Sequence, residues 1–224
     1  MVPRTPETNS LLRIYEILRK EYGPQGWWPI HGTYDGRTPN SDEQFEICIG
    51  AILTQNTAWT NVERALENIR GKLNRTMLEN LSSTELATLI RPAGYFNQKA
   101  KKIRCFIAFL NSGKPITRKN LLSVWGLGPE TVDSILLYAY GKPYFVVDAY
   151  TRRILSYLGI ITDTASYDEI QHLFHKTIPP SVQVYKEYHA LFVAHGKTWY
   201  SKKPYGVGDT LLQQFIPRRS LPCV

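Results

Sequence analysis

Apolar residues recur at helical spacing through almost the whole chain. Leu11, Ile14, Tyr15 and Leu18 fall on one face of a helix behind Thr8 and Asn9, which suit a helix start, and the pattern stops at Gly23. Val62, Ala65, Leu66 and Ile69 form a second stripe, and Ile103, Phe106, Ile107 and Leu110 a third that ends near Gly113. Ser41 with Gln44, Ser82 with Glu85 and Ser166 with Glu169 have capping-box spacing, in which two side chains satisfy the free amides of a first turn. Helices are therefore expected to begin near residues 42, 83 and 167. The one compact β-like run is PYFVV at 143–147. These patterns predict an all-α fold of about nine or ten helices with short loops. The Gly- and Pro-rich stretch 23–40 is expected to be a long loop with two exposed tryptophans, Trp27 and Trp28.

Composition narrows the partners. The 224 residues are 43% apolar, enough to fill one large core or two small ones. A net charge of +8 with 19 acidic residues is a moderate basic surplus, suited to a polyanion such as nucleic acid and equally open to a merely basic soluble protein. Cys48, Cys105 and Cys223 are odd in number, far apart and in no metal-ligand spacing, so reduced thiols and a cytoplasmic setting are expected. The opening MVPRTPETNS has no signal-like apolar core, and no run approaches the roughly 18 apolar residues of a membrane span. His189 and His195 lie six apart and so do not share a helix face as a zinc-binding pair would, which assigns both to structure.

Candidate chemistry concentrates in VWGLGPETVDSILLYAYGKPYFVVDAY, residues 124–150. In GLGPE, Gly126 and Gly128 suit the positive φ angles of a tight turn, and Pro129 suits the first position of a helix. The amides of Gly126, Gly128 and Glu130 would then meet a phosphate at the positive end of that helix. The helix continues through Ile135, Leu136, Tyr138 and Ala139 to Gly141, and the chain crosses to Asp148 ahead of a further helical stretch. By position alone, Asp148 is a helix cap as readily as a catalytic acid.

The segment LLSVWGLGPETVDSILLYA, followed by VVDAYTRRIL, resembles the helix-hairpin-helix, Gly-Pro loop and aspartate signature of the endonuclease III superfamily of DNA glycosylases. GAILTQNTAWTNVERAL resembles that superfamily's early glutamine-bearing helix, GYFNQKAKKI its DNA-inserting loop, and YHALFVAHGK its late histidine-containing helix, so the likeness runs in order from about 40 to 200. It implies two helical lobes with a cleft between them: a six-helix barrel with the hairpin over 31–141, and a second lobe from 1–30 and 142–224. Members with lyase activity place a lysine where this chain has Glu130, and a carboxylate cannot form an imine. Iron-sulfur members carry clustered cysteines where this chain reads TWYSKKPYGVGDTLLQQF, so no iron-sulfur cluster and no other cofactor is expected, beyond a monovalent or divalent cation at the hairpin.

Those departures make the chain most similar to the clusterless, endonuclease III-like 3-methyladenine DNA glycosylases. The resemblance implies a monofunctional enzyme of base excision repair, acting as a monomer on double-stranded DNA containing damaged bases, in the cytoplasm or on the nucleoid. Trp27, Trp28, Phe45 and Glu130 would line a pocket for a flipped-out alkylated purine, whose delocalised positive charge suits aromatic faces and a carboxylate. Asp148 would be the catalytic residue, stabilising an oxocarbenium-like sugar. Gln55 and Tyr95, beside Asn97, would wedge the duplex. Gly126, Gly128 and Lys99, with Lys101, Lys102 and Arg104 near by, would meet phosphates. Without the resemblance, the tryptophans read as a hydrophobic staple, Phe45 as core, Gln55 as a polar helix end, and Glu130 as a first-turn charge. Two rival functions stay open: a glycosylase for mismatched or oxidised pyrimidines, and a non-catalytic helix-hairpin-helix DNA-binding protein.

Overall fold

The computed structural model describes residues 6–216, with side chains from residue 10. Cys223 lies outside the described residues, while Cys48 and Cys105 are free thiols. Among the described residues the protein is all-helical: α1 (Pro6–Tyr22), α2 (Ser41–Leu53), α3 (Trp59–Ile69), α4 (Arg75–Asn80), α5 (Ser83–Leu89), α6 (Phe96–Asn111), α7 (Arg118–Leu122), α8 (Pro129–Ser134), α9 (Ala149–Tyr157), α10 (Tyr167–Thr177) and α11 (Val182–Trp199). The short helices α4 and α7, which carry little periodic signal, take the total past the expected nine or ten. The chain divides into two compact units, one of residues 28–142 and the other of residues up to 27 together with those from 143 onward.

In the unit of residues 28–142, α2 is the central element. Ile47, Cys48, Ile49, Ala51, Ile52 and Leu53 are all buried, so the helix is enclosed on nearly every side. The expected stripe of α3 is buried in full, and that of α6 at Ile103, Phe106 and Ile107. Beyond α8, a wider π turn at Ile135–Ala139 packs against α2. Burial pushes the Cys48 thiol up to about 12, which makes it an inert core group.

The helix starts follow the sequence in two places and depart from it in two. Ser82 with Glu85 and Ser166 with Glu169 form the expected reciprocal caps. At α2 the cap is Asn40 with Glu43, not Ser41 with Gln44: Asn40 Oδ1 accepts from the amides of Asp42 and Glu43, each at 3.0 Å. Arg37 favours that register, since its guanidinium grips the Glu43 carboxylate and holds it down at about 2. α1 begins at Pro6, so Thr8 and Asn9 lie within the helix and not ahead of it.

In the other unit, Leu11, Ile14 and Leu18 of α1 are fully buried. α1 packs on α10 and α11, and the Tyr188 hydroxyl donates to the Leu11 carbonyl at 2.7 Å. PYFVV forms no strand. Phe145, Val146 and Val147 are buried as expected of a β-like run, but side chains of α10 take up their backbone groups. His175 Nε2 accepts from the Phe145 amide at 3.0 Å, Gln171 Nε2 donates to the Phe145 carbonyl at 2.7 Å, and the Tyr167 hydroxyl meets the Val147 amide at 3.4 Å. A buried backbone needs partners, and here side chains supply what a neighbouring strand would have.

Candidate functional site

The hairpin between α7 and α8 is braced from inside. Asp133 is fully buried and takes a two-pronged ion pair from Arg118, Nε to Oδ1 at 2.8 Å and Nη2 to Oδ2 at 3.1 Å, which fixes the angle between the two helices. At the turn, Gly126 has φ +83°, and a Cβ there would stand 2.5 Å from Lys102 Cγ. Only glycine meets both conditions. Gly128 does not need its expected positive φ: it is extended, at φ −88° and ψ 173°, and a Cβ would enter open space. Pro129 takes the first helical position, and Glu130 is exposed in the first turn, where its charge complements the helix dipole.

Gln55 is bonded at both ends of its amide. Its Nε2 donates to the Gly126 carbonyl at 3.2 Å and to Thr131 Oγ1 at 2.9 Å, while its Oε1 accepts from Lys102 Nζ. It therefore ties the end of α2 to the hairpin and to α6, and entering a duplex would mean exchanging those bonds. Tyr95 stands out into solvent at 67% exposure. It follows Gly94 at φ +67° and is itself left-handed, at φ +46° and ψ 31°, so two unusual residues turn the chain and project the ring from the start of α6.

The basic run is mostly committed to structure. Lys99, expected at a phosphate, is instead 1% exposed, and its Nζ donates to the carbonyls of Leu53 at 2.8 Å and Ala93 at 2.7 Å. The helical phase of α6 decides this, since position 99 faces α2 while position 101 faces out. Lys101 lies 4.2 Å over the ring of Trp125, which is 48% exposed at the hairpin, and Arg104 donates to the Leu81 carbonyl at 2.7 Å.

The adjacent tryptophans have different surroundings, and neither is the fully exposed loop residue expected. Trp28 is buried, edge-on to Trp59 at 5.3 Å and tilted on Tyr138 at 5.1 Å, and a Cβ at Gly50 would come within 3.3 Å of its ring. It acts as the staple of the 28–142 unit, with little surface left for a ligand. Trp27 is half-buried, its ring edge-to-face with His189 at 5.7 Å. Phe45 does not share the niche of Trp28: it lines a cavity of about 390 Å³ with Asp42, Arg75, Leu110 and Tyr140. Five residues separate it from Gly50 on α2, which turns it to another side of the helix.

Asp148 caps α9. Its Oδ1 accepts from both the amide and the hydroxyl of Thr151, each at 2.7 Å. Its Oδ2 faces His189 Nε2 at 4.0 Å, with the Asp148 side chain 13% and the His189 side chain 7% exposed. Burial lowers the pKa of His189, and the charge of Asp148 only partly offsets this, so the imidazole is neutral near pH 7. Spacing speaks only against a zinc pair; the place of His189 opposite Asp148 belongs to the late histidine-containing helix that the resemblance singled out. His195 does serve structure: fully buried, its Nε2 meets Asp209 Oδ2 at 2.8 Å, and its Nδ1 meets the Tyr22 hydroxyl at 2.9 Å.

A braced helix-hairpin-helix, together with a helix-capping aspartate 19 residues beyond the start of its second helix, defines an all-helical protein of the hairpin-plus-aspartate class. Residues 49–180 match the family described as the HhH-GPD superfamily base excision DNA repair protein, and the chain belongs to that family. It is 43% identical over 208 residues, 86% of this chain and 90% of the relative, to a Methanocaldococcus jannaschii protein whose name assigns it to the DNA repair glycosylases. The structure of Helicobacter pylori 3-methyladenine DNA glycosylase (MagIII) bound to 1,N6-ethenoadenine is similar, with a TM-score of 0.69 and 29% identity over 87% of this chain and 98% of that one. A non-covalent endonuclease III–DNA complex shares the fold, with a TM-score of 0.79 at 19% identity over 93% and 94% of the two chains.

Proposed function

We propose that this chain, a base-excision DNA glycosylase by family, hydrolyses the glycosidic bond of flipped-out alkylated purines such as 3-methyladenine and leaves the strand uncut. The observation that carries the reading is the division of labour within Asp148. One oxygen is held by Thr151, which fixes the carboxylate, and the other faces a buried, neutral imidazole. Such a fixed anion can stabilise positive charge as C1' becomes oxocarbenium-like, and it can take a proton from the incoming water. An alkylated purine is already a good leaving group, so no strong general acid is required.

Substrate class rests on three supports. Glu130 stands where a lyase would need an amine, so this position supplies no Schiff base. Trp27 is the member of the tryptophan pair with ring surface to offer a cationic base, and Glu130 is an exposed anion. The similar H. pylori enzyme is named for 3-methyladenine, and it covers nearly its whole length in the match. The amides of Gly126 and Gly128 would hold a backbone phosphate, and Tyr95 would fill the space left by the flipped base. The chemistry proposed calls for no iron-sulfur cluster and no resident metal.

The test is to incubate the protein with methylated DNA and with duplexes containing uracil, an oxidised pyrimidine or 8-oxoguanine, and to identify the released base by mass. Free 3-methyladenine without strand scission is the expected result. Release of a neutral base in preference, or a covalent adduct trapped by borohydride, would overturn the reading.

A further inference from the structure

Lys99 is the most buried cation of the 28–142 unit, and the glycosylase chemistry gives it no part. It sits one turn into α6, and its own amide donates to the Tyr95 carbonyl at 3.0 Å. Its ammonium reaches two other chain segments. One is the carbonyl of Leu53, the last residue of α2 and two before Gln55; the other is the carbonyl of Ala93, two before Tyr95. Helix ends leave carbonyls without intrahelical partners, and a cation there is favoured by the dipole. Lys102, one turn further along, grips the side chain of Gln55 itself. α6 thus holds the base of both loops through Lys99 and the tip of one through Lys102. Burial, helped by the like charge of Lys102, lowers the Lys99 ammonium to about 8, a cost the fold sustains to keep these two bonds.

We propose that Lys99 is a positioning residue that locks the Gln55 loop and the Tyr95 loop together, so that the two enter DNA as one rigid wedge. This rests on the glycosylase reading for its use, though not for its geometry. An alkyl side chain of similar length fills the space but leaves both carbonyls without a donor, so each loop would move independently. Because a displacement of about 1 Å at a positioned group can cost about a hundredfold in rate, the loss should fall on the step that opens the duplex.

The test uses Lys99→Met, with Lys99→Arg as a second variant that keeps the charge. Hydrogen exchange is followed by mass spectrometry in peptides covering 53–58 and 93–97, against 129–139 as internal reference. Single-turnover release of 3-methyladenine is measured from a paired duplex and from the same base in an unpaired bulge. For Lys99→Met, exchange should rise about tenfold in both loops with the reference unchanged. Release from the duplex should fall ten- to about a hundredfold, while release from the bulge stays within about threefold. Lys99→Arg should fall between the parent and Lys99→Met. Uniformly faster exchange, equal loss on both substrates, or no change in either assay would overturn the proposal. Should Lys99→Met fail to fold, the two loops of Lys99→Arg decide: selective loosening supports the strut, and parental exchange refutes it. If the parent released base from neither substrate, the functional reading would fall, and the exchange result alone would stand for or against the strut.

Discussion

Replacing Asp148 by Asn and by Ala separates its helix cap from the catalytic charge proposed for it. Oδ1 accepts two hydrogen bonds of 2.7 Å from Thr151, and an amide oxygen can accept both, so Asp148→Asn keeps the cap and removes only the charge. Asp148→Ala removes the cap as well and strands the Thr151 hydroxyl, in a residue that is fully buried. Loss of a cap of this kind costs about 1 kcal/mol, and a buried hydroxyl without an acceptor adds roughly 1 kcal/mol or more. The Ala protein should therefore unfold with about 2 kcal/mol less stability than the parent, and the Asn protein within about 0.5 kcal/mol of it. For a chain of this size that is a fall in Tm of about 4–8 °C for Ala and little for Asn. Catalysis should not follow that order. Both proteins lose the fixed anion, so single-turnover release of 3-methyladenine should fall by about a hundred- to a thousandfold in each. The assays are urea denaturation and quenched-flow detection of free base, on the same preparations. An Asn protein that retains activity within threefold of the parent would refute the reasoning, since the charge would then be irrelevant to turnover.

Other perturbations separate structure from chemistry. Gly126→Ala forces an L-residue to φ +83° and drives Lys102 off Gln55, and should cost roughly 2 kcal/mol by urea denaturation. Gly128→Ala, with no clash and an ordinary φ, should stay within about 0.5 kcal/mol. Asp209 accepts from His195, from Tyr200 and from the amides of Leu211 and Leu212; burial acts to raise its pKa, but those partners, His195 foremost, outweigh it and hold the carboxyl low. An amide nitrogen cannot accept from His195 and Tyr200, so Asp209→Asn should cost about 3–5 kcal/mol and lower Tm by about 10 °C in calorimetry. His189 has its pKa depressed by burial, so between that value and about 6.5 the unfolded chain binds more protons than the folded one. Its contribution to stability is therefore complete above pH 6.5 and lost as pH falls, and His189→Gln should flatten the acid side of a plot of unfolding free energy against pH.

Helix periodicity was legible because burial on one face leaves a repeated mark, as in α3, where each of the four stripe residues is buried. Caps were legible only where one candidate stood alone. At α2 three polar residues compete over 40–42, and what selects Asn40 is Arg37 reaching the Glu43 carboxylate, a contact from the preceding loop that a local window does not contain. PYFVV reads as a strand since burial and β-branching are its only local signals, whereas its backbone partners come from α10, some 20–30 residues onward. Charge was the least legible property. Lys99, Lys101, Lys102 and Arg104 look alike as a basic run, yet one is buried on carbonyls, one lies over an indole, one bonds an amide and one bonds a backbone oxygen. A formal +8 overstates the cations available to a phosphate, and counterion release depends on the available ones.

The two meanings open to Asp148 in the sequence, helix cap and catalytic acid, are compatible because a carboxylate has two oxygens. A free carboxylate on a flexible side chain would lose much of its electrostatic value to reorganisation, and water would screen the rest. Binding Oδ1 to the first turn of α9 removes the rotational freedom, and the neighbouring neutral His189 keeps the other side of the group from being quenched by a full positive charge. If His189 were instead protonated, it would form an ion pair with Asp148 and compete with a positively charged sugar for the same oxygen. Under the proposed mechanism the depression of its pKa by burial matters to chemistry as well as to stability, and turnover should decline toward acid pH along with the charge state of His189, in parallel with the stability loss that the same titration causes.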